Sequence, residues 1–274
     1  MQDRTEASWL PLQDHMMKPP TSESMKKYIV TALIIFALLG AAALVLRISL
    51  GTVTPAGRVS GQDSTPAPDY SHTNPGTMIP LPPPDTQGGM SLNRALTLRR
   101  SVRQYGPGPL SLAHVSQLLW SAQGITNERG FRTAPSAGAT LPLEMFLMAN
   151  RVEGIREGIY HYDPVEHALE FIREGAPAAE LARACLSQSM VTEGGAVLIF
   201  AADFDRTTAR YGERGIRYVY NEIGHASQNV HLQAAALDLG TVVIGAYRDE
   251  EVEEVLQLDE PLRVLYLMPV GLLP

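Results

Sequence analysis

Lysine is missing from the larger part of this 274-residue chain. The last lysine is Lys27, and all 16 basic residues after Gly89 are arginines. Without lysine, this part cannot form a Schiff base with a carbonyl substrate or build the lysine-containing phosphate loop of nucleoside triphosphatases. It also contains 22 acidic residues, which make it net negative. That charge argues against sequence-independent binding of nucleic acid, which requires a basic surface.

Cysteine and clusters of potential metal ligands are also scarce. The single cysteine, Cys185, cannot form an intrachain disulfide, and its Ala- and Leu-rich surroundings favour a small buried side chain. The seven histidines are scattered. His225 and His231 share one predicted helix but lie about 120° apart around its axis, so they cannot chelate one ion together. The sequence therefore predicts no metal site, and it also lacks the G-x-G-x-x-G, G-x-S-x-G and H-E-x-x-H motifs.

Charge is absent from one apolar segment near the N-terminus. Residues 28–46 are uncharged and rich in Ile, Leu and Ala. As a helix they would reach about 28 Å, enough to cross a hydrocarbon core. Lys26 and Lys27 precede the segment, so the positive-inside rule places the N-terminus in the cytoplasm. We therefore predict an N-terminal tail at residues 1–27 and a transmembrane anchor or signal segment at residues 28–50.

Two interpretations of this apolar segment remain open. It is either an uncleaved anchor or a cleaved secretory signal, because Met25, Lys26 and Lys27 resemble an alternative start with a basic n-region. Three consecutive alanines at positions 41–43 offer a cleavage site. Both interpretations export the rest of the chain. We therefore expect the folded domain to lie outside the cytoplasm, tethered to the membrane or released from it.

The remainder of the chain divides into a linker and a folded domain. Proline, glycine, serine and threonine dominate residues 51–88, which favours an extended or disordered linker. In the domain, residues 89–274, Ser91 and Ser111 are predicted helix caps, and further helices are predicted at 178–186, 217–239 and 249–258. Gly240 would end the longest of them. Strands predicted at 144–150, 158–163, 196–202, 241–246 and 262–270 complete an α+β sandwich.

Three short segments contain residues suited to ligand binding. The first offers three guanidinium groups and a hydroxyl, many donors and no acceptor, at Arg99, Arg100, Ser101 and Arg103. Such a set suits a phosphate, which arginine grips with two parallel hydrogen bonds; the alternative is a solvated basic turn. The second consists of small residues that let the backbone approach a flat ligand, at Pro135, Ser136, Ala137 and Gly138. The third lies at the end of a predicted strand that opens into a turn of small residues, at Ile244, Gly245 and Ala246.

Taken together, these segments resemble the nitroreductase superfamily, and more closely its SagB-type branch of thiazole/oxazole oxidases. The resemblance spans about residues 89–271. Its motifs are the R-R-S-V-R run at Arg99, P-S-A-G at Pro135, Pro142-Leu143-Glu144, G-I-Y-H-Y-D-P at Gly158, R-Y-G-E-R-G at Arg210, E-I-G-H at Glu222, Asn229, Ile244-Gly245-Ala246 and Pro269-Val270-Gly271.

The resemblance implies an obligate homodimer that binds FMN in a cleft between the subunits. It implies that Arg99, Ser101 and Arg103 hold the phosphate and the polar edge of the ring, with Arg100 beside them. The partner subunit would present Pro135, Ser136, Ala137 and Gly138 to the same flavin. Near the reactive N5 of the ring, the resemblance places Ile244, Gly245 and Ala246. The flavin would carry the electron chemistry, and the protein would bind and tune it.

Three departures from the family pattern affect the expected chemistry. Arg210-Tyr211 stands where azoline-oxidising enzymes have a Lys-Tyr pair, and arginine is no base near neutral pH. Tyr211 is therefore the candidate proton carrier. Arg210 beside it, and Arg214 three residues on, would favour its phenolate, since residues three apart share one face of a helix. Leu141 replaces a frequent tyrosine, and Leu272 replaces a basic residue that would have contacted the phosphate.

The resulting prediction is an FMN-dependent oxidoreductase with a ping-pong hydride cycle on an unknown small molecule or peptide. Azoline-to-azole oxidation in peptide natural products and NAD(P)H-driven nitro or quinone reduction are alternatives within this class. Export argues against both, because a cytoplasmic cyclodehydratase would supply azolines and because little NAD(P)H lies outside the cytoplasm. From another class, the alternative is a non-catalytic envelope binding module that has lost the flavin.

Overall fold

The computed structural model describes residues 69–175, 177–258 and 260–274. The tail, the apolar segment and most of the predicted linker therefore lie outside the described residues. Within the described part, no helix is long and apolar enough to cross a membrane. The same part contains seven strands and seven α-helices, which confirms the predicted α+β class.

A single antiparallel sheet forms the centre of the domain. Its strands, in chain order, are β1 (Met78–Pro80), β2 (Leu143–Ala149), β3 (Gly158–Asp163), β4 (Ala168–Glu174), β5 (Ala196–Ala202), β6 (Leu239–Thr241) and β7 (Arg263–Leu272). Their spatial order is β1-β4-β3-β2-β5-β7-β6. Every neighbouring pair is antiparallel.

The two central strands, β2 and β5, are buried on both faces of the sheet. In β5, Leu198 and Phe200 belong to one hydrophobic core, while Val197 and Ile199 belong to a second core on the opposite face. This alternation follows from the two-residue period of a strand. Because both faces need apolar cover, the strand is a continuous apolar run, which also explains why its bounds were predictable from sequence.

Helices cover both faces of the sheet. Their bounds are α1 (Leu92–Leu98), α2 (Leu112–Gln123), α3 (Ala178–Ala184), α4 (Met190–Glu193), α5 (Asp205–Tyr211), α6 (Arg214–Ala236) and α7 (Asp249–Leu256). Helices α2 and α6 supply the first core, and α3, α4 and α7 supply the second. The buried face of α6 includes Val219, Ile223, Val230 and Ala234, which recur at helical spacing.

Both predicted serine caps are confirmed. Ser91 Oγ accepts a hydrogen bond from the Arg94 N–H, and Ser111 forms a reciprocal capping box with His114. The predicted end of the long helix is wrong, however. Helix α6 ends at Ala236, and Asp238 adopts the left-handed conformation with φ 55°. Gly240 instead lies in β6, where an added Cβ would lie 2.7 Å from the Val102 side chain.

The predicted boundary between linker and domain is also wrong, because the fold begins well before Gly89. Strand β1 pairs with β4, and the side chains of Ile79 and Leu81 are buried in the first core. Hydrogen bonds fasten the chain beyond β1, since Ser116 Oγ donates to the Pro82 carbonyl over 2.6 Å. A proline-rich composition disfavours a regular element but does not prevent a short edge strand, where proline loses no needed hydrogen bond.

Ile79→Val tests whether this edge strand belongs to the folded unit. Ile79 has no exposed surface, so removing one methylene group is expected to lower the free energy of unfolding by about 0.5–1.5 kcal/mol. Chemical denaturation of the two proteins measures the difference. Val165→Ala is the control, because Val165 is 69% exposed and should change stability little. Equal effects of the two substitutions would mean that β1 is not part of the cooperative unit.

Candidate active site

The arginine-rich segment begins where helix α1 ends. Arg99 is the C-cap of α1, and its N–H donates to the Ala95 carbonyl. The chain then turns toward the sheet, where the Val102 N–H donates to the Thr241 carbonyl over 2.9 Å and the Tyr105 hydroxyl donates to the Pro269 carbonyl over 3.0 Å. These contacts fix the segment across the ends of β6 and β7.

The cations of this segment have no acidic partner in the described part of the chain. Salt bridges among the described residues involve neither Arg99, Arg100 nor Arg103. Arg100 donates only to the carbonyls of Thr97 and Arg99. Three guanidinium groups in five residues without a counter-charge repel one another. An anion bound between them would relieve that repulsion.

A cavity of about 280 Å³ adjoins the same segment. Its walls come from the end of α1 and the segment after it, from α6, from β6 and from the residue after β7, and they include Leu98, Arg100, Val102, His231, Thr241 and Leu273. His231, on α6, is 8% exposed, and its Nδ1 is buried without a hydrogen-bond partner in the described part of the protein. Sequence reasoning excluded His231 as a metal ligand and did not connect it with the arginine cluster 130 residues away, because only the packing of α6 on α1 joins them.

The segment at residues 135–138 is a strained turn. Ala137–Ala139 form a single 3-10 turn, and φ is positive at Gly138 (59°), Ala139 (54°) and Leu141 (48°). Positive φ at two residues with side chains costs free energy, so the surrounding contacts must hold this conformation. Ser136 Oγ contributes by accepting a hydrogen bond from the Leu141 N–H over 3.0 Å.

Arg210 and Tyr211 lie against this turn within the same chain. Arg210 Nη1 donates to the Gly138 carbonyl over 3.0 Å. An added Cβ at Gly138 would collide with the Tyr211 hydroxyl and the Arg210 guanidinium. The tyrosine ring also packs edge-on against Tyr218, with 5.0 Å between the ring centres. The structure thus joins two of the segments that the sequence predicted as site residues.

The predicted support of Tyr211 by Arg214 is wrong. The two residues were expected to share one helical face, but Tyr211 ends α5 and Arg214 begins α6. Gly212, with φ 58°, breaks the helix between them. Arg214 Nε donates instead to the Tyr218 hydroxyl over 3.2 Å.

Glu222, which the sequence singled out only as part of the E-I-G-H motif and gave no role, lies at the strained turn of residues 135–138. It belongs to the buried face of α6 with 2% exposure, and its carboxyl lies beside Ser136 and Ala137. Burial raises the pKa of this carboxyl, although the Ser136 hydroxyl and the Ala137 N–H oppose the rise. Its Oε1 has no hydrogen-bond partner in the described part of the protein. A buried carboxyl beside a strained turn is typical of a functional site.

Glu222→Gln is expected to stabilise the domain at neutral pH. Since burial raises the folded-state pKa of Glu222 above its ordinary value, the protonated acid favours folding, and this contribution is lost as pH rises through the raised pKa. Glutamine keeps the shape without the charge. The gain in melting temperature should grow as the pH rises above about 4.5, the ordinary pKa of a glutamate carboxyl. Glu166→Gln, at an exposed turn, is the control. A gain that is constant with pH would contradict the assigned protonation.

The third predicted segment is less regular than expected. The strand predicted at 241–246 ends at Thr241, and a single bridge joins Ile244 to Leu267. The Ile244 side chain is 2% exposed and belongs to the second core, so only its backbone is available to a ligand. Gly245 and Ala246 are exposed. The Ala246 carbonyl accepts a hydrogen bond from Gln188 Nε2 over 3.0 Å, which anchors the turn.

Known proteins that are similar in sequence to this chain belong to one family. The Nitroreductase family model matches residues 96–272. MJ1384 of Methanocaldococcus jannaschii, which carries a provisional nitroreductase name, is 47% identical over 182 residues that cover 66% of this chain and 91% of the relative. The microcin B17-processing protein McbC of Escherichia coli is 29% identical over 167 residues, 55% of this chain and 58% of McbC.

Solved structures with a similar fold carry nitroreductase titles as well. A structure from Ralstonia eutropha with a provisional nitroreductase title superposes with a TM-score of 0.64 at 27% identity, covering 76% of this chain and 94% of the other. A similarly titled structure from Anabaena variabilis has a TM-score of 0.65 at 28% identity, covering 72% of this chain and 42% of the other. The chain therefore belongs to the nitroreductase family and is an oxidoreductase.

Proposed function

We propose that this oxidoreductase binds FMN and passes hydride through it in a ping-pong cycle. The arginine cluster at the end of α1 carries this proposal, because it lacks an acidic partner in the described part of the chain and adjoins a cavity. A phosphate monoester supplies the missing negative charge. The absence of lysine from the domain leaves arginine as the residue to hold it.

The residues of this chain divide the work of binding. Arg99, Ser101 and Arg103 would donate to the phosphate and the polar edge of the ring, with Arg100 beside them. The exposed backbone at Gly245 and Ala246 would lie against the ring. The turn at residues 135–138 would approach the flavin of the partner subunit. When bound, the flavin supplies the two-electron chemistry, and the protein orients it and controls access of water.

A visible absorption spectrum of the purified protein tests this proposal. We expect a yellow protein with bound flavin, or a colourless protein that takes up added FMN. Bleaching of that colour by a reduced donor, and its return with an acceptor, would then establish the two half-reactions. A folded protein that takes up no FMN would contradict the proposal and favour the non-catalytic binding module.

Peptide modification is a second candidate function, and the SagB-type resemblance favours it. Besides McbC, the trifolitoxin-processing protein TfxB of Rhizobium leguminosarum is similar, at 31% identity over 139 residues, although this chain covers only 37% of TfxB. The azoline would lose hydride to the flavin and a proton to a base such as Tyr211. Flavin reduction by a thiazoline-containing peptide supports this function. Flavin reduction by NAD(P)H alone, followed by reoxidation by a nitroarene or quinone, supports nitro or quinone reduction instead.

We also propose that the chain forms a homodimer, and exposed apolar residues support this. Leu92 and Leu96 on α1 are 64% and 51% exposed, and they share one face because they are four residues apart. On α6, Ile216 and Tyr220 repeat the same spacing with 37% and 55% exposure. A monomer rarely leaves such faces in water. Light scattering should give twice the mass of one chain, and a monomer at micromolar concentration would contradict the dimer.

Export of the domain remains a proposal supported by the charges that flank residues 28–46. A C-terminal reporter that is active only outside the cytoplasm is expected to be active, because Lys26 and Lys27 precede the apolar segment. Activity of a cytoplasmic reporter instead would contradict export. It would also strengthen the peptide-modification function, since the objection from compartment would disappear.

A further inference from the structure

Three exposed arginines form a basic surface where helix α5 meets helix α6. Two tyrosines join them, since Arg210 Cζ lies 5.5 Å from the centre of the Tyr211 ring and that ring packs edge-on against Tyr218. Arg214 Nε donates to the Tyr218 hydroxyl over 3.2 Å, and Arg217 lies about one turn further along α6. The basic surface, made of Arg210, Arg214 and Arg217, therefore lies beside Tyr211, the candidate proton carrier.

This surface is positively charged, although the domain as a whole is acidic. Glu213 is the one acid among residues 206–221, and it forms no salt bridge with the described residues. The three arginines of the surface have no acidic partner in the same part of the chain. Arg214 and Arg217 repel each other, and as cations at the N-terminal end of α6 they oppose the helix dipole. A bound anion would relieve both unfavourable effects.

The available donors and the open shape of the surface favour an acidic peptide as its ligand. Arg210 uses Nη1 on the Gly138 carbonyl and Arg214 uses Nε on the Tyr218 hydroxyl, so their other N–H groups can donate to carboxylates. Small ligands bind in concave sites that bury most of their surface, whereas these side chains are exposed and suit an extended chain. The net negative charge of the domain disfavours a nucleic acid.

The basic surface and the apolar residues proposed for the homodimer point in different directions from α6. At about 100° per residue, the direction midway between Arg214 and Arg217 lies about 110° around the helix from that midway between Ile216 and Tyr220. A dimer formed through the apolar residues therefore leaves the arginines on another face of the helix.

We propose that the basic surface binds acidic residues of a peptide substrate and thereby holds the reacting part of that peptide beside Tyr211. The carboxylates of the peptide accept hydrogen bonds from Arg214 and Arg217, while the neighbouring residue lies over the tyrosine pair. This inference names a substrate class for the proposed oxidoreductase. It rests on that function, because a proton carrier at Tyr211 needs a flavin that accepts the hydride.

Fluorescence anisotropy with two labelled peptides of equal length tests the proposal. Both are glycine–serine peptides, and one carries three glutamates where the other carries glutamines. Wild-type protein should bind the glutamate peptide about fivefold more tightly at low ionic strength, since several weak ion pairs add up when salt does not screen them. Arg214→Gln with Arg217→Gln should reduce this preference to within about twofold. Arg94→Gln with Arg129→Gln, which removes the same charge from exposed positions elsewhere, should keep it.

Charge reversal and the flavin spectrum show where the peptide binds. Arg214→Glu with Arg217→Glu should prefer a lysine peptide of the same length to the glutamate peptide, because the attraction changes sign. In wild-type protein loaded with FMN, the glutamate peptide should shift the flavin absorption band, since the turn beside Tyr211 is the one proposed to approach the flavin. Tight binding without such a shift would overturn the role of the surface in holding a substrate.

The outcomes separate this inference from the FMN proposal. Protein that takes up no FMN but prefers the glutamate peptide would overturn the flavin function and leave a peptide-binding surface. Protein that takes up FMN but binds both peptides alike, or binds a single-stranded oligonucleotide more tightly than the glutamate peptide, would overturn the acidic-peptide inference alone. Loss of the dimer in the Arg214→Gln/Arg217→Gln variant would assign the surface to the subunit contact and also overturn the inference.

Discussion

Replacing Arg99 and Ser101 together by alanine is expected to leave a folded protein that is largely free of flavin. Both residues lie at or just beyond the end of α1, and neither side chain belongs to a hydrophobic core. Each hydrogen bond to a charged phosphate contributes about 1.5–3 kcal/mol, so losing two should weaken FMN by about 10²-fold or more. Fluorescence titration of the flavin-free variant measures the loss, and circular dichroism checks the fold.

A matched pair on the same helix provides the control. Arg94 and Thr97 are exposed residues of α1, and Thr97 Oγ1 donates only to the Asn93 carbonyl within its own helix. Their joint replacement by alanine removes the same kinds of group one turn earlier, and FMN affinity should not change. Full flavin occupancy in the Arg99/Ser101 variant at low micromolar FMN would show that the phosphate is held elsewhere.

Tyr211→Phe is expected to keep FMN and the fold but to slow a proton-coupled half-reaction. The Tyr211 ring packs against Tyr218, a contact that phenylalanine retains, while its hydroxyl faces the turn at Gly138. If that hydroxyl carries the substrate proton, its removal should lower the rate by about 10²-fold, the lower scale of general acid–base catalysis. Stopped-flow absorbance of the flavin, with a substrate that must lose or gain a proton, measures the step.

Tyr218→Phe is the corresponding control. Its hydroxyl accepts a hydrogen bond from Arg214 Nε, and its ring packs against that of Tyr211. This variant should react at the wild-type rate. Equal rates for wild type and Tyr211→Phe would instead mean that Tyr211 only packs against the turn, and that solvent carries the proton.

Much of the candidate site could be predicted from sequence because it consists of short contiguous segments. The donors at Arg99, Arg100, Ser101 and Arg103 are adjacent in the chain, so their shared chemistry is visible without a fold. The residues that support the site could not be found in this way. The Glu222 carboxyl lies beside Ser136, and His231 lies close enough to Arg99 to be influenced by its charge, only because α6 packs against both segments. Contacts between residues so distant in sequence leave no local pattern.

By itself, the sequence determined the α+β class, the serine caps at Ser91 and Ser111, and the central strands, because periodicity, capping and apolar runs act over a few residues. The tertiary structure decided the features that depend on contacts between residues distant in the sequence. Residues 78–80 became a strand because the edge of β4 offered hydrogen bonds to a proline-rich segment. Likewise, α6 ended before Gly240 because pairing of residues 239–241 with β7 competed for the chain. Local propensity is worth a fraction of a kcal/mol per residue, whereas burial and strand pairing contribute several, so they prevail where the two disagree.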